Sequence, residues 1–159
     1  MNKVITISRE YGAGGHTIGK RVAQELGIQL YDRDIVRETV RASGYDAETV
    51  REEEEEVSRG GALLNSILSN SVHYPNTQDA IHEVQQAVIL RYAQAGPCVI
   101  LGRCADEILL SSGIPCLNVF IHASEIHRAE RMKEETGVTN ATELQRMIAR
   151  KDHLRRNYY

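Results

Sequence analysis

The sequence predicts an α/β fold, a doubly wound parallel sheet with helices on both faces. Three observations carry this expectation. Three short apolar runs, Val4–Ile7, Cys98–Leu101 and Leu117–Ile121, are each bounded by glycine, proline or polar residues, as strands covered on both faces tend to be. Helical patterns separate the runs, and strands alternating with helices fit right-handed parallel crossovers. A glycine cluster, Gly12, Gly14 and Gly15, follows the first run and leads into a helix.

Val4–Ile7 is β-branched throughout, which favours an extended chain. Its place so near the N-terminus suits the first, central strand of the sheet. A helix is expected from about Thr17 to Leu26, because Ile18, Val22, Ala23 and Leu26 share one face. Leu30-Tyr31 adds a brief fourth strand. Further helices are expected over about 33–43, 46–58, 60–70, 77–95, 104–111, 124–135 and 140–156. The interval from about 33 to 95 holds helical patterns and no convincing strand, so it reads as a helical insertion between two core strands. Gly60-Gly61 and Tyr74-Pro75-Asn76 punctuate it as turns. The acidic run Glu52–Glu56 points all around a helix and reads as a solvated face. No internal repeat is evident.

Composition narrows the function classes. A chain of 159 residues with 42% hydrophobic content suits one domain over residues 1–159 with a real core. A net charge of −3 and a pI near 6.1 supply no basic field for nucleic acid or an anionic membrane. No apolar run approaches the roughly 20 residues of a membrane span, and Met1 leads directly into a strand. Cys98, Cys104 and Cys116 form no C-x-x-C pair and read as reduced thiols. A cytoplasmic protein without nucleic-acid or membrane partners is expected; oligomeric state stays open.

Chemistry concentrates first in the glycine loop. Strand, glycine-rich turn and helix N-terminus cradle phosphate, because glycine permits close backbone approach and the free N–H groups and helix dipole attract an anion. Gly12, Ala13, Gly14, Gly15, His16 and Thr17 are therefore the candidate phosphate ligands. The strict pattern G-x-x-x-x-G-K-[ST] is not met. With Gly14 as its second glycine, Arg9 stands at the first glycine, Gly15 at the lysine and His16 at the hydroxyl, with Thr17 one place later. Lys20, Arg21 or Arg9 would have to supply the missing cation, although Lys20 and Arg21 lie about a turn into the helix.

Four further clusters accompany the loop. Tyr31-Asp32-Arg33-Asp34 sits at the expected C-terminal end of a strand, where α/β sheets place ligands. Gly102-Arg103 follows the apolar run Val99–Leu101, with Asp106 three residues on. Arg128 and Arg131 are one helical turn apart, so both can reach one site. Lys151, Asp152, Arg155 and Arg156 lie together near the end of the sequence. Arginine suits such a role because its planar fork grips phosphate oxygens two at a time.

With these blocks in view, the chain resembles the cytidylate kinase-like family, a branch of the P-loop nucleoside monophosphate kinases. The resemblance rests on Ile7-Ser8-Arg9-Glu10-Tyr11-Gly12-Ala13-Gly14-Gly15, Tyr31-Asp32-Arg33-Asp34, Val99-Ile100-Leu101-Gly102-Arg103-Cys104-Ala105-Asp106, Arg128-Ala129-Glu130-Arg131, and Arg150-Lys151-Asp152 through Tyr158-Tyr159. It implies a P-loop NTPase-type sheet, a helical monophosphate-binding insertion at about 33–95 and an arginine-bearing lid at about 128–156. The implied reaction moves the γ-phosphoryl of ATP, with Mg²⁺, to CMP or a similar monophosphate. By position, Gly12–Thr17 would hold the ATP phosphates, with Thr17 a weak candidate for the metal. Asp32, Asp34, Arg103, Asp106, Asp152, Arg155 and Arg156 would meet the acceptor. Arg128, Arg131, Arg155 and Arg156 would belong to the lid or its hinges, with Asp152 orienting one of them. Arg9, Lys20, Arg128 and Arg131 are the candidate catalytic cations.

The chain departs from the well-characterised enzymes of that kind. Gly15 replaces the loop lysine, Leu101 an acidic residue before Gly-Arg, and His122 an aspartate after the third strand. The resemblance also implies a further strand and helix after Tyr159, so the C-terminal part of the family fold is expected to be missing from this sequence. Two readings follow. One is a phosphotransferase acting on CMP or another small phosphate acceptor. The other is a nucleotide-binding module that kept the cradle and its arginines but lost or weakened transfer.

Overall fold

The structure, a computed structural model, describes residues 4–44 and 77–157. The helices expected over about 46–58 and 60–70, the acidic run Glu52–Glu56, the turns at Gly60-Gly61 and Tyr74-Pro75-Asn76, and Tyr158-Tyr159 lie outside the described residues. The described elements run β1 (Val4–Arg9), α1 (Gly15–Leu26), β2 (Gln29–Tyr31), α2 (Arg33–Ser43), α3 (Thr77–Ala95), β3 (Cys98–Leu101), α4 (Ala105–Ser111), β4 (Cys116–Ile121), α5 (Glu125–Thr136) and α6 (Ala141–Asn157).

The four strands form one parallel sheet in the order β2-β3-β1-β4. Val4 pairs with Cys98 on one side and Cys116 on the other, so β1 is central as its position implied. Alternation along the strands divides the core between two faces. Val4, Cys98 and Ile100 pack with Ile35, Ile89 and Leu109 from α2, α3 and α4. Ile7, Val99 and Leu101 pack with Ala23 of α1 on the other face. A smaller cluster, Met132, Leu144 and Ile148, joins α5 to α6.

Three expectations are adjusted. α1 starts at Gly15, two residues before Thr17, because Gly14 adopts φ 83° as its N-cap and so turns the chain early. His16 and Thr17 thus belong to the first turn of a helix. β1 continues through Arg9, which pairs with Ile121 of β4. Finally, β4 is not covered on both faces. Among the described residues it pairs only with β1, and Leu117 and Phe120 are each 62% exposed.

Candidate functional site

The loop from β1 to α1 takes its shape from its glycines. Gly12 has φ 80°, and a Cβ there would lie 3.1 Å from both the Arg128 carbonyl oxygen and Met132 Cγ. Gly14 has φ 83°, and its Cβ would lie 2.8 Å from Arg131 Nη1. Helix α1 then begins with no side-chain cap and no acidic residue in its first turn. Its leading N–H groups and positive dipole end are left for an anion.

Helices α5 and α6 hold this loop from behind. The Tyr11 N–H donates to Asp152 Oδ1 at 2.7 Å. Arg128 donates through Nη1 to Asp152 Oδ2 and, at 3.3 Å, to the Tyr11 carbonyl. Arg128 and Asp152 are 7% and 6% exposed, so this is a buried charge pair. Arg128 Nε also lies 3.6 Å from Glu10 Oε2, which accepts from the Ala123 N–H at 3.3 Å. Arg155 donates to the Arg9 carbonyl at 3.1 Å, and its guanidinium sits 5.4 Å from the centre of the Tyr11 ring.

A cavity of about 520 Å³ opens beside the loop, at the carboxyl ends of β1, β3 and β4. This is where parallel α/β sheets bind ligands. Arg9, Arg103, Lys151, Arg155 and Arg156 line it, against two carboxylates, Glu10 and Asp152. Both carboxylates already face Arg128. Burial, and next the neighbouring Arg9 charge, push the Arg155 guanidinium down to about 10, with Asp152 opposing. Guanidinium groups crowded in this way favour an anion between them.

Backbone geometry directs Arg103. Gly102, Arg103 and Cys104 have φ of 74°, 66° and 49°, a run of left-handed residues directly after β3. Such conformations are costly outside glycine and cluster at functional sites. The Gly102 N–H donates to the Ile7 carbonyl at 2.9 Å, tying the turn to β1. Cys104 is buried, and desolvation followed by Asp106 and Glu107 pushes its thiol up to about 12. Burial alone raises Cys98 to about 11. Neutral thiols pack; they do not attack.

Of the residues singled out from sequence, Arg9, Arg103, Asp152, Arg155 and Arg156 meet in this cavity. Arg131 lies over the helix N-terminus, donating to Thr17 Oγ1 at 2.8 Å and to Glu135 Oε1 at 3.0 Å. His16 Nδ1 and Asp32 Oδ2 are 2.8 Å apart, linking the loop to the start of α2. Asp34 instead pairs with Arg37 at 2.7 Å along α2. Lys20 is exposed on α1, and neither it nor Asp106 lines the cavity. Lys151 of the C-terminal cluster also lines it, whereas Glu10, Tyr11 and Phe120 belong to the site without having been singled out for it. Glu10 and Tyr11 stand between Arg9 and Gly12 in the loop, the one local signal that marked them. Among the described residues, no three His, Cys, Asp or Glu side chains gather to hold a metal ion. No helix among them is long and apolar enough to cross a membrane.

Comparison with known proteins sharpens the picture. No protein of curated function matches the chain. A solved structure, the crystal structure of an uncharacterized protein from Eubacterium ventriosum ATCC 27560, is similar with a TM-score of 0.66 and 26% identity. The similarity covers 98% of this chain and 74% of that one. Residues 4–159 match the sequence profile of the cytidylate kinase-like family. The profile spans nearly the whole chain and the parallel sheet and glycine loop of the described residues agree with it: the chain belongs to the cytidylate kinase-like family and has its kinase-like fold.

Proposed function

We propose that this chain is a phosphotransferase that moves the γ-phosphoryl group of ATP to a nucleoside monophosphate, with CMP the first acceptor to test. Family membership supports a nucleotide kinase-like role. The observation that carries the finer reading is the cavity between the ends of β1 and β3. Five cationic side chains converge there while both of its carboxylates face Arg128.

The roles follow from charge and position. The leading N–H groups of α1 would receive the inner phosphates of ATP, and Arg131 would close over them from α5. Arg103 would grip the acceptor phosphate with two parallel hydrogen bonds. An oxygen of that phosphate attacks the γ-phosphorus, the bond to the bridging oxygen breaks, and ADP leaves with that oxygen. Such transfer asks the protein for positioning and for positive charge around the moving group. Magnesium would arrive with the triphosphate, neutralising charge on the β- and γ-oxygens. Among the described residues no three His, Cys, Asp or Glu side chains gather, so such an ion would have to be held mostly by phosphate and water. Thr17 Oγ1 would be the loop hydroxyl offered to it, once Arg131 gives up its 2.8 Å contact there.

Gly15 at the lysine position favours the second reading, a nucleotide-binding module with weak or no transfer. A panel of nucleoside monophosphates incubated with Mg-ATP separates the two. The phosphotransferase forms ADP only when an acceptor is present, fastest with CMP. Binding of both nucleotides without acceptor-dependent ADP would leave the module reading standing and refute transfer.

A further inference from the structure

We propose that Arg9 and Gly15 have exchanged roles in the phosphate loop. The Arg9 side chain, laid across Gly15, delivers to the terminal phosphate the positive charge that the strict motif delivers from position 15. This rests on the phosphotransferase reading and adds to it the identity and route of the loop's cation.

Aligned on Gly14, the strict motif places glycine at position 9 and lysine at position 15. Here the two residue types are reversed, arginine at 9 and glycine at 15. The structure makes the reversal physical. A Cβ built on Gly15 would lie 2.7 Å from Arg9 Cγ, 3.0 Å from Cβ and 3.2 Å from Cδ. The methylene stem of Arg9 therefore fills the volume in which any side chain at position 15 would begin. Farther out, a Cβ on Gly102 would lie 2.0 Å from Arg9 Nη1 and 3.2 Å from Cζ. The side chain thus threads a slot whose walls are glycine on both sides, one wall opening α1 and the other following β3.

Backbone conformation separates the two glycines. Gly102 has φ 74°, so its backbone favours glycine whatever lies beside it. Gly15 is not among the residues with positive φ. It is a helical position where alanine would suit the backbone better. The Arg9 stem is the feature that excludes a side chain there. The guanidinium ends beside Gly102, next to Arg103, in the cavity where donor and acceptor phosphates would meet. Position 9 lies on the strand side of the loop, so arginine's longer reach compensates for the change of origin, and its fork can engage two phosphate oxygens.

The test is a two-by-two set: wild type, Arg9→Gly, Gly15→Lys and the double variant. Affinities for ADP and inorganic tripolyphosphate are measured by calorimetry, and thermal stability alongside. Arg9→Gly should weaken tripolyphosphate binding on the order of 10–100-fold, the range for a lost charged hydrogen bond. Gly15→Lys alone should lower Tm without tightening binding, because Arg9 holds its space. The double variant should recover affinity to within a few-fold of wild type. Should Gly15→Lys fail to fold, Gly15→Ala in both backgrounds keeps the comparison alive. It should destabilise the protein with Arg9 present and stabilise it with Gly at position 9. Unchanged affinity in Arg9→Gly, a folded double variant no better than Arg9→Gly, or a Gly15→Ala effect equal in both backgrounds would overturn the exchange alone. A wild-type protein that binds neither ADP nor tripolyphosphate would overturn the phosphotransferase reading with it.

Discussion

Removing the Asp152 carboxylate should loosen the glycine loop from a distance of 141 positions in sequence. Asp152 accepts from the Tyr11 N–H at 2.7 Å and from Arg128, and both charged residues are buried. Asp152→Ala leaves Arg128 buried with only the more distant Glu10 carboxylate, 3.6 Å away. Breaking a buried pair in this way costs about 3–5 kcal/mol. An orphaned amide at Tyr11 contributes to the same loss, at about 1–3 kcal/mol taken alone. These terms overlap, so about 4 kcal/mol is the working figure. In a domain of this size each kcal/mol moves Tm by about 2–4 °C, so a fall of about 8–16 °C is expected. Asp152→Asn keeps an acceptor for Tyr11 but not the charge, and should fall between the two. Calorimetry gives the Tm, and hydrogen exchange at the Tyr11 amide reports the loop. A Tm within about 2 °C of wild type, or unchanged exchange at Tyr11, would refute the clamp.

Two further outcomes follow from the same geometry. Arg103→Gly should leave Tm unchanged or raise it slightly. Relief of the left-handed backbone at φ 66°, about 1–2 kcal/mol, outweighs or balances glycine's entropic cost of about 0.5–1 kcal/mol. Binding of the proposed acceptor, CMP, followed by calorimetry, should nevertheless weaken at least tenfold. A large fall in Tm would make Arg103 structural. Arg155 supplies a pH test. Its folded pKa of about 10 lies below its ordinary 12.5, so its charged form penalises the fold fully below pH 10. That penalty fades as pH rises toward 12.5. Thermal scans should therefore show wild type gaining on Arg155→Gln between pH 9 and 11, and a gap that does not move would count against the burial of this charge.

Local pattern accounts for what was legible in the sequence. The β-branched run Val4–Ile7 and the apolar run Cys98–Leu101 are strands because no other element suits so short a buried stretch. Gly12 and Gly14 announced a turn because both must adopt positive φ. Boundaries were less legible, since helix α1 starts where Gly14 caps it and not where its apolar face begins. The exposure of β4 depends on which strands flank it, which is a property of topology and not of residues 116–121. The site followed the same rule. Arg103 was visible from its place after a buried strand. The partnership of Asp152 with Tyr11 joins residues from opposite ends of the chain, and no local spacing encodes it.

The two arginines of α5 show how far one helical turn can divide labour. Spacing of three residues suggested that Arg128 and Arg131 serve one site together. Arg128 instead faces inward, its guanidinium fixed by Asp152 and by the Tyr11 carbonyl. Arg131 faces the solvent side of the same loop, 37% exposed at its side chain, over Gly14 and Thr17. A positive group set against the positive end of a helix gains nothing from that dipole. Glu135 balances part of the charge. A polyphosphate on the loop would reverse the balance, attracting both Arg131 and the helix end. The buried contacts of Arg128 would resist any swing of α5 as a whole. Closure over the proposed nucleotide would therefore cost least where the contacts are exposed, at Arg131 and Thr17, with the Arg128–Asp152 pair as the fixed point about which those side chains would rearrange.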